Sequence, residues 1–361
     1  MKAFGGAEVD LGLIEGFYGR PWSWTERAET VSFLALHGYR FYWYAPKADA
    51  FLRRRWREDY PAETLEALQA LARHCAGEGA RFGVGLSPFE IYRSFDAGAQ
   101  ADLARKLAAL DAIGVVDLAI LFDDMRGDIP DLARSQVEIL HWIASRTAAR
   151  RLIFCPTYYS DDPLLDRAFG QRPEGYLDEL GRDLDPAIDV FWTGEEVCSR
   201  AYSPHNLERV GEALRRKPVI WDNYPVNDGP VMSQSLHLRA FTGRPAAMAK
   251  VVAAHAVNPA SQAVLSRVPA LTLTASYRDG EAYDYGAAFD AAARAVLGPE
   301  LGAQVRGHLS QFQDTGLDRL APETRARLSE RYAALDHPGA REIVDWLDGA
   351  WTITRDEIEA A

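Results

Sequence analysis

Residues 118–124 of the chain read Leu-Ala-Ile-Leu-Phe-Asp-Asp, an apolar run that ends in two adjacent carboxylates. The apolar residues predict a buried strand, and the two acids mark the point where it reaches solvent. Because neighbouring strand residues face opposite sides of a sheet, Asp123 and Asp124 can both serve one site only if the strand ends there and the backbone turns. A second pair, Asp161 and Asp162, is interpreted as a loop opening that caps the next helix.

Seven further apolar runs alternate with amphipathic helical patterns along the chain. Together the eight runs cover residues 11–17, 40–45, 81–86, 117–122, 151–156, 189–192, 218–221 and, with a weaker signal, 250–257. Helical spacing of apolar residues occurs between them, at 62–77, 98–114, 131–148 and 204–215. Eight strands that alternate with helices predict an α/β fold, the (β/α)8 or TIM barrel.

The strand pattern ends before the C-terminus. Residues 226–250 are weakly helical, which predicts a short or irregular seventh helix, and no strand signal follows residue 279. We therefore expect a (β/α)8 catalytic domain over residues 1–285 and a C-terminal helical region over residues 286–361. Because no low-complexity linker separates them, the helical region is expected to pack on the barrel.

Composition excludes several classes of function. The chain has 361 residues and a formal net charge of −12, which argues against a nucleic-acid partner because such proteins need a basic surface. The basic cluster at residues 53–57 is interpreted as a loop or a solvated face in preference to a phosphate site. Three widely spaced cysteines give neither a disulfide framework nor a zinc motif. With no leader-like or membrane-length apolar segment, a cytoplasmic protein without membrane contact is expected.

Polar and aromatic residues accumulate where the predicted strands end. They are the residues at 15–22 (EGFYGRPW), 46–47 (PK), 123–124 (DD), 157–159 (TYY), 192–194 (WTG), 221–228 (WDNYPVND) and 258–259 (NP). The carboxyl ends of barrel strands form one face, so these side chains should converge. Sugar hydroxyls need both donors and acceptors, and sugar rings stack on aromatic walls. Each residue alone could be a turn glycine, a cap or a core tryptophan, but their coincidence favours a sugar site.

The same segments resemble the catalytic domain of family 84 glycoside hydrolases, which includes protein O-GlcNAcases, bacterial β-N-acetylglucosaminidases and enzymes first called hyaluronidases. The resemblance covers roughly residues 11–285 and rests on seven ordered motifs, including the stretch from Ala45 to Glu58 and the segment Cys155 to Tyr159. It departs from the family pattern at Tyr158, where an acidic residue is common, and at residues 125–127. These departures bear on leaving-group preference.

This resemblance implies a retaining exo-β-N-acetylglucosaminidase in which the 2-acetamido group of the substrate attacks through an oxazoline. Asp123 would hold the acetamido N–H, and Asp124 would act as general acid and then as base. The other implied contacts are Tyr159 and Asn223 to the acetamido group, Asp228 and Asn258 to the 4- and 6-hydroxyls, Lys47 and the Gly16 carbonyl to other hydroxyls, Trp221 as a wall, and Val197 and Cys155 at the rim. The expected partner is terminal β-linked GlcNAc on proteins or glycans, with no cofactor or metal; a homo-oligomer is left open.

Adjacent acids divide the two tasks of such a mechanism naturally, and their mutual repulsion is expected to raise the pKa of Asp124 so that it stays protonated. Three alternatives stay open. A conventional retaining glycosidase would use Glu195 or Asp228 as an enzyme nucleophile. A metal-dependent hydrolase is disfavoured because the eight histidines lack metal-binding spacing. A carbohydrate-binding pseudoenzyme is disfavoured because both acids are present.

Overall fold

A computed structural model of the chain describes residues 9–360, and its eight strands form one closed parallel barrel in sequence order. The strands are β1 (Leu11–Glu15), β2 (Tyr39–Tyr44), β3 (Arg81–Leu86), β4 (Asp117–Leu121), β5 (Arg151–Cys155), β6 (Ile188–Trp192), β7 (Val219–Asp222) and β8 (Ala254–Val257). Pairing of β1 with β8, in which Leu11 lies opposite His255, closes the barrel. The predicted (β/α)8 fold is confirmed.

Helices follow the strands on the outside of the barrel and continue beyond it. They are α1 (Trp24–Ala35), α2 (Ala62–Gly77), α3 (Ala97–Ile113), α4 (Leu132–Ala144), α5 (Pro163–Phe169), α6 (Tyr176–Asp183), α7 (Pro204–Leu214), α8 (Gly229–Met232), α9 (Ala263–Asp279), α10 (Tyr285–Gly307), α11 (Pro322–Ala333), α12 (Pro338–Leu347) and α13 (Arg355–Ala360). The seventh connection holds only the four-residue α8 and a 3-10 turn, as its weak helical pattern predicted. No helix in the described range is long and apolar enough to cross a membrane.

Aromatic side chains fill much of the barrel interior. Trp43 of β2 is fully buried, stacks on Phe41 at 4.0 Å between ring centroids and meets Phe191 of β6 edge-on at 5.4 Å. Alternate strand residues point inward, so the barrel interior is a packed core, and a cavity lies where loops leave the strand ends. This packing gives the loops at the carboxyl ends a rigid base.

The C-terminal helices form a second apolar core against the outside of the barrel. Val264, Leu265 and Val268 of α9 are buried in it together with Trp346 of α12. Glu342 of α12 accepts hydrogen bonds at 2.9 Å from the backbone N–H groups of Val264 and Leu265, so its carboxylate caps the first turn of α9. The helix that follows β8 is therefore held by a residue some 80 positions later in the chain.

Candidate active site

A cavity of about 270 Å³ opens at the carboxyl ends of the barrel strands. All nine residues predicted for the site line it: Gly16, Lys47, Asp123, Asp124, Tyr159, Trp221, Asn223, Asp228 and Asn258, as do the predicted rim residues Cys155 and Val197. Small-molecule sites span about 300–1,000 Å³, so this cavity suits one sugar ring rather than an oligosaccharide. The rival nucleophile Glu195 is exposed and is not among the lining residues.

Both acids after β4 face this cavity because the strand ends before them. β4 stops at Leu121, and Asp124 has a φ of 58°, in the left-handed region that residues other than glycine seldom adopt. Backbone strain of this kind concentrates at functional sites, where the surrounding structure holds it in place. The turn allows two consecutive carboxylates to serve one pocket, which a continuing strand would forbid.

The two carboxylates share a cationic partner. Lys47 Nζ donates to Asp123 Oδ2 in a short ion pair and to Asp124 Oδ2 at 3.2 Å. The hydroxyl of Tyr18 donates to Asp124 Oδ2 at 2.7 Å, and Arg53 Nη1 lies 3.7 Å from the same oxygen. Two cations and two carboxylates thus form a cluster that is balanced in charge.

This cluster overturns the expectation that repulsion from Asp123 raises the pKa of Asp124. Burial favours the neutral acid, but Lys47, Arg53 and the hydrogen bond from Tyr18 outweigh burial and hold the pKa of Asp124 below its ordinary value. The same anions raise the pKa of Lys47 despite its burial. Repulsion between the acids is compensated because Lys47 lies between them.

One oxygen of Asp123 has no partner. Oδ2 is bound by Lys47, whereas Oδ1 is buried and accepts no hydrogen bond from any described residue. A buried carboxylate oxygen without a donor costs free energy, and native proteins keep few such atoms. An N–H donor brought by a ligand would satisfy it.

Asparagine side chains connect the loops after β7, β8 and β1. Asn258 Nδ2 donates to Asn223 Oδ1 at 2.9 Å, and its Oδ1 accepts from the Gly16 N–H at 3.2 Å. Asn223 Nδ2 in turn donates to the carbonyl of Val197 at 2.8 Å. This chain of hydrogen bonds orients both amides and fixes three loops relative to one another.

Trp221 and Gly16 form an apolar wall. A Cβ at residue 16 would lie 2.3 Å from the Trp221 ring, so only glycine lets the indole take this position. Phe191 supports the indole edge-on at 5.2 Å.

Asp228 lies at the β7 side of the cavity. Its Oδ2 accepts from the Tyr18 N–H at 2.9 Å, which joins the loops after β1 and β7. Burial raises the pKa of Asp228 to about 6, against the opposing effects of this hydrogen bond and of Lys47.

A buried ionic network holds the carboxyl end of β7 in place. Arg244 binds Asp222 through two hydrogen bonds of 2.8 and 2.6 Å, and His255 contacts the same carboxylate at 3.0 Å. Because Asp222 immediately precedes Asn223, this network fixes the backbone that carries the amide. Neither Arg244 nor His255 was predicted from the sequence to support the site.

Sequence reasoning assigned no role to Tyr18 and Ile358, which line the cavity, or to Arg53, which contacts Asp124. Tyr18 lies in the segment at residues 15–22, and its position just after β1 was a usable signal. The cluster at residues 53–57 was interpreted as a loop or a solvated face; it lies in a loop, but for Arg53 a solvated face is wrong, because its side chain is buried and lies 3.7 Å from Asp124. Ile358 of α13 lines the cavity because of tertiary packing, which no local sequence pattern predicts. Within residues 9–360 no three His, Cys, Asp or Glu side chains are grouped closely enough to hold a metal ion.

Comparison with known proteins agrees with this geometry. Residues 11–313 match the family described as beta-N-acetylglucosaminidase. The chain is 32% identical to the protein O-GlcNAcase of Rattus norvegicus over 286 residues and to that of Mus musculus over 288 residues. These alignments cover 76% and 77% of this chain but only 31% of each relative. A solved mutant of the Thermobaculum terrenum O-GlcNAc hydrolase matches with a TM-score of 0.77 and 28% identity, over 94% of this chain and 80% of that one.

Proposed function

The chain belongs to the beta-N-acetylglucosaminidase family, the family 84 glycoside hydrolases that its motifs resemble, and we propose that it is a retaining exo-β-N-acetylglucosaminidase. Its substrate would be a terminal β-linked GlcNAc on a protein or a glycan. In the proposed mechanism the acetamido oxygen of the substrate, rather than an enzyme carboxylate, attacks the anomeric carbon and forms an oxazoline.

The observation that carries this proposal is the unequal environment of the two oxygens of Asp123. Lys47 holds Oδ2, whereas the buried Oδ1 lacks a partner, and Asp123 lines a cavity of single-sugar size. The acetamido N–H would donate to Oδ1. As positive charge develops on that nitrogen, a fixed carboxylate in a largely dry site stabilises it without reorganising.

Asp124 would protonate the departing oxygen and then deprotonate the incoming water. Lys47, Arg53 and Tyr18 hold the pKa of Asp124 below its ordinary value, so the proton must be acquired as substrate excludes water from its side chain, which is 25% exposed. Once the proton moves, Lys47, Arg53 and the Tyr18 hydroxyl stabilise the resulting carboxylate. The same groups favour the ionised form that acts as base in the second step.

The amides and the aromatic wall would position the sugar. Asn223 and Tyr159 would contact the acetamido group beside Trp221, and Asp228 with Asn258 would bind the 4- and 6-hydroxyls. Lys47 has a third donor beyond the two that it gives to the acids, and this donor is available to a ring hydroxyl.

A series of aryl glycosides with acetyl, fluoroacetyl, difluoroacetyl and trifluoroacetyl groups tests the nucleophile. Fluorine weakens the acetamide oxygen, so kcat should fall steeply along the series while NMR shows retained stereochemistry. Asp123→Asn should lower kcat for the acetyl substrate by about 10²–10³-fold, the usual cost of one such electrostatic partner. Glu195→Gln is the matched control and should leave kcat unchanged.

The rival two-carboxylate mechanism makes the opposite prediction. If rates barely respond to fluorination and a 2-fluoro sugar traps a covalent adduct on Asp228 or Glu195, the acetamido group is not the nucleophile and the role given to Asp123 is wrong. If the wild type binds but does not hydrolyse aryl β-N-acetylglucosaminides, the protein is a carbohydrate-binding pseudoenzyme.

A further inference from the structure

Residues 351–358, termed here the C-terminal strap, connect the loops after β1 and β7 at the open end of the barrel. On the β1 side, the Arg20 guanidinium lies over the Trp351 ring at 5.0 Å from its centroid. The Ile353 side chain is buried against Gly19, where an added Cβ would come within 2.5 Å of it. The strap is therefore packed against the loop that carries Tyr18.

A second set of contacts fixes the strap to the loop after β7. The Ile353 N–H of the strap donates to Ser233 Oγ at 3.2 Å, and Trp346 of the preceding helix α12 donates through Nε1 to the Ser233 carbonyl at 3.2 Å. Ser233 follows α8 directly and is buried. The strap thus bridges the two loops that the Tyr18–Asp228 hydrogen bond joins beneath it.

The helix at the end of the strap brings an apolar side chain into the cavity. Thr354 and Glu357 form a reciprocal capping pair: Glu357 accepts from the Thr354 N–H at 2.7 Å, and Thr354 Oγ1 accepts from the Glu357 N–H at 3.3 Å. One position later, Ile358 lines the cavity together with Gly229 and Met232. Its Cδ1 lies 3.9 Å from a Cβ placed on Gly229, the residue after Asp228.

The strap lies across the barrel from the two acids. In a closed barrel of eight strands, β4 and β8 are diametrically opposed, and the strap contacts the loops on either side of β8. Asp123 and Asp124 follow β4. A pyranose that presents its anomeric carbon to Asp124 therefore directs the opposite end of its ring, which carries the 4- and 6-hydroxyls, toward Asp228 and Ile358.

We infer that the C-terminal strap is a specificity element and that Ile358 closes the pocket behind the 4- and 6-hydroxyls of the sugar. Isoleucine offers no hydrogen bond to a further sugar, and its side chain occupies the cavity wall next to Asp228, where a chain continuing from either hydroxyl would have to pass. The wall restricts the enzyme to unsubstituted terminal residues. This inference rests on the proposed function, because it takes Asp124 as the group beside the anomeric carbon.

The test compares an aryl β-N-acetylglucosaminide with its 4-O-methyl and 6-O-methyl derivatives. A glycosidase cannot remove these methyl groups, so the derivatives are not converted into the parent substrate during the assay. Ile358→Ala should raise kcat/KM for at least one methylated substrate, relative to the parent substrate, by about 10-fold over the wild type. Ile358→Leu conserves volume and should keep the wild-type ratio. Val231→Ala is the control, because Val231 is apolar, 82% exposed and next to Met232 but is not among the lining residues.

The outcomes distinguish failure of the inference about Ile358 from failure of the proposed function. An unchanged ratio in Ile358→Ala, or an equal loss with all three substrates, overturns the inference, since a merely structural role would affect them alike. Thermal unfolding of each variant shows whether the fold is retained. If the alanine variant is unstable, Ile358→Trp is an independent test, because the larger side chain should lower kcat/KM for the methylated substrates further. Failure of the wild type to hydrolyse the parent glycoside refutes the proposed function instead.

Discussion

Replacement of Arg53 by methionine should move the pH dependence of general acid catalysis. Nη1 of Arg53 lies 3.7 Å from Asp124 Oδ2, and the Arg53 side chain is buried. At an effective dielectric constant of about 20, a full charge at this distance is worth about 4 kcal/mol. The Asp124 side chain is 25% exposed, so screening reduces the effect. We expect the pH at which acid catalysis is lost to rise by about 1–2 pH units.

The direction follows from the protonation state that is needed. Asp124 acts as an acid only when protonated, and its pKa is held low by cations that outweigh burial. Removal of one cation raises this pKa, so the protonated acid persists to higher pH.

The assay is the ratio of kcat/KM for an alkyl glycoside, which needs the acid, to kcat/KM for an activated aryl glycoside, measured across pH. Titration of Asp228, whose pKa is about 6, affects both substrates and cancels in the ratio.

Two variants control for charge and position. Arg53→Lys keeps a cation, so the pH at which acid catalysis is lost should stay close to that of the wild type. Arg55→Met also removes one arginine charge from residues 53–57. Because Arg55 is exposed and paired with Glu58, the pH at which acid catalysis is lost should not change. If the pH at which acid catalysis is lost is unchanged or lower in Arg53→Met, the electrostatic role given to Arg53 is contradicted.

Three further predictions concern the acid, metals and stability. Asp124→Asn should slow glycosides with poor leaving groups far more than activated phenyl glycosides, whereas equal losses across the series would remove Asp124 from the acid role. Activity should persist through prolonged chelation, and a loss that zinc or magnesium restores would be inconsistent with the proposed mechanism. Glu342→Ala leaves two backbone N–H groups without an acceptor and should lower the free energy of unfolding by about 2–4 kcal/mol in urea titrations. Because burial raises the pKa of Glu342 to about 7, above its unfolded value, the wild-type advantage should grow as pH falls from about 7 toward 4.5, and a constant difference would refute that linkage.

The barrel and the strand ends that meet at its pocket were predictable from local patterns, whereas the individual site residues followed from the family resemblance. Each strand is an apolar run, and parallel strands bring their carboxyl ends to one face, so residues as distant as Gly16 and Asn258 had to converge. The turn that presents Asp124 was implied by the adjacency of the two acids.

The electrostatics could not be predicted in the same way. Whether Asp123 raises the pKa of Asp124 depends on where Lys47 and Arg53 place their charges, and a displacement of a few ångströms decides the sign. Arg53 stands in a run of arginines whose other members include the exposed Arg55, and nothing in the run distinguishes the buried one. Ile358 reaches the pocket only because the strap packs across two loops.

The bond from Glu342 to the start of α9 also affects how this protein can be divided or recombined. A gene fragment that ended near residue 285 would encode every strand, yet its last barrel helix would present two uncapped amides and an apolar face that includes Val268. Such a product would be prone to aggregate. Chimeras with relatives should exchange α9 and α12 together, even though the 58 residues 280–337 separate them in the chain.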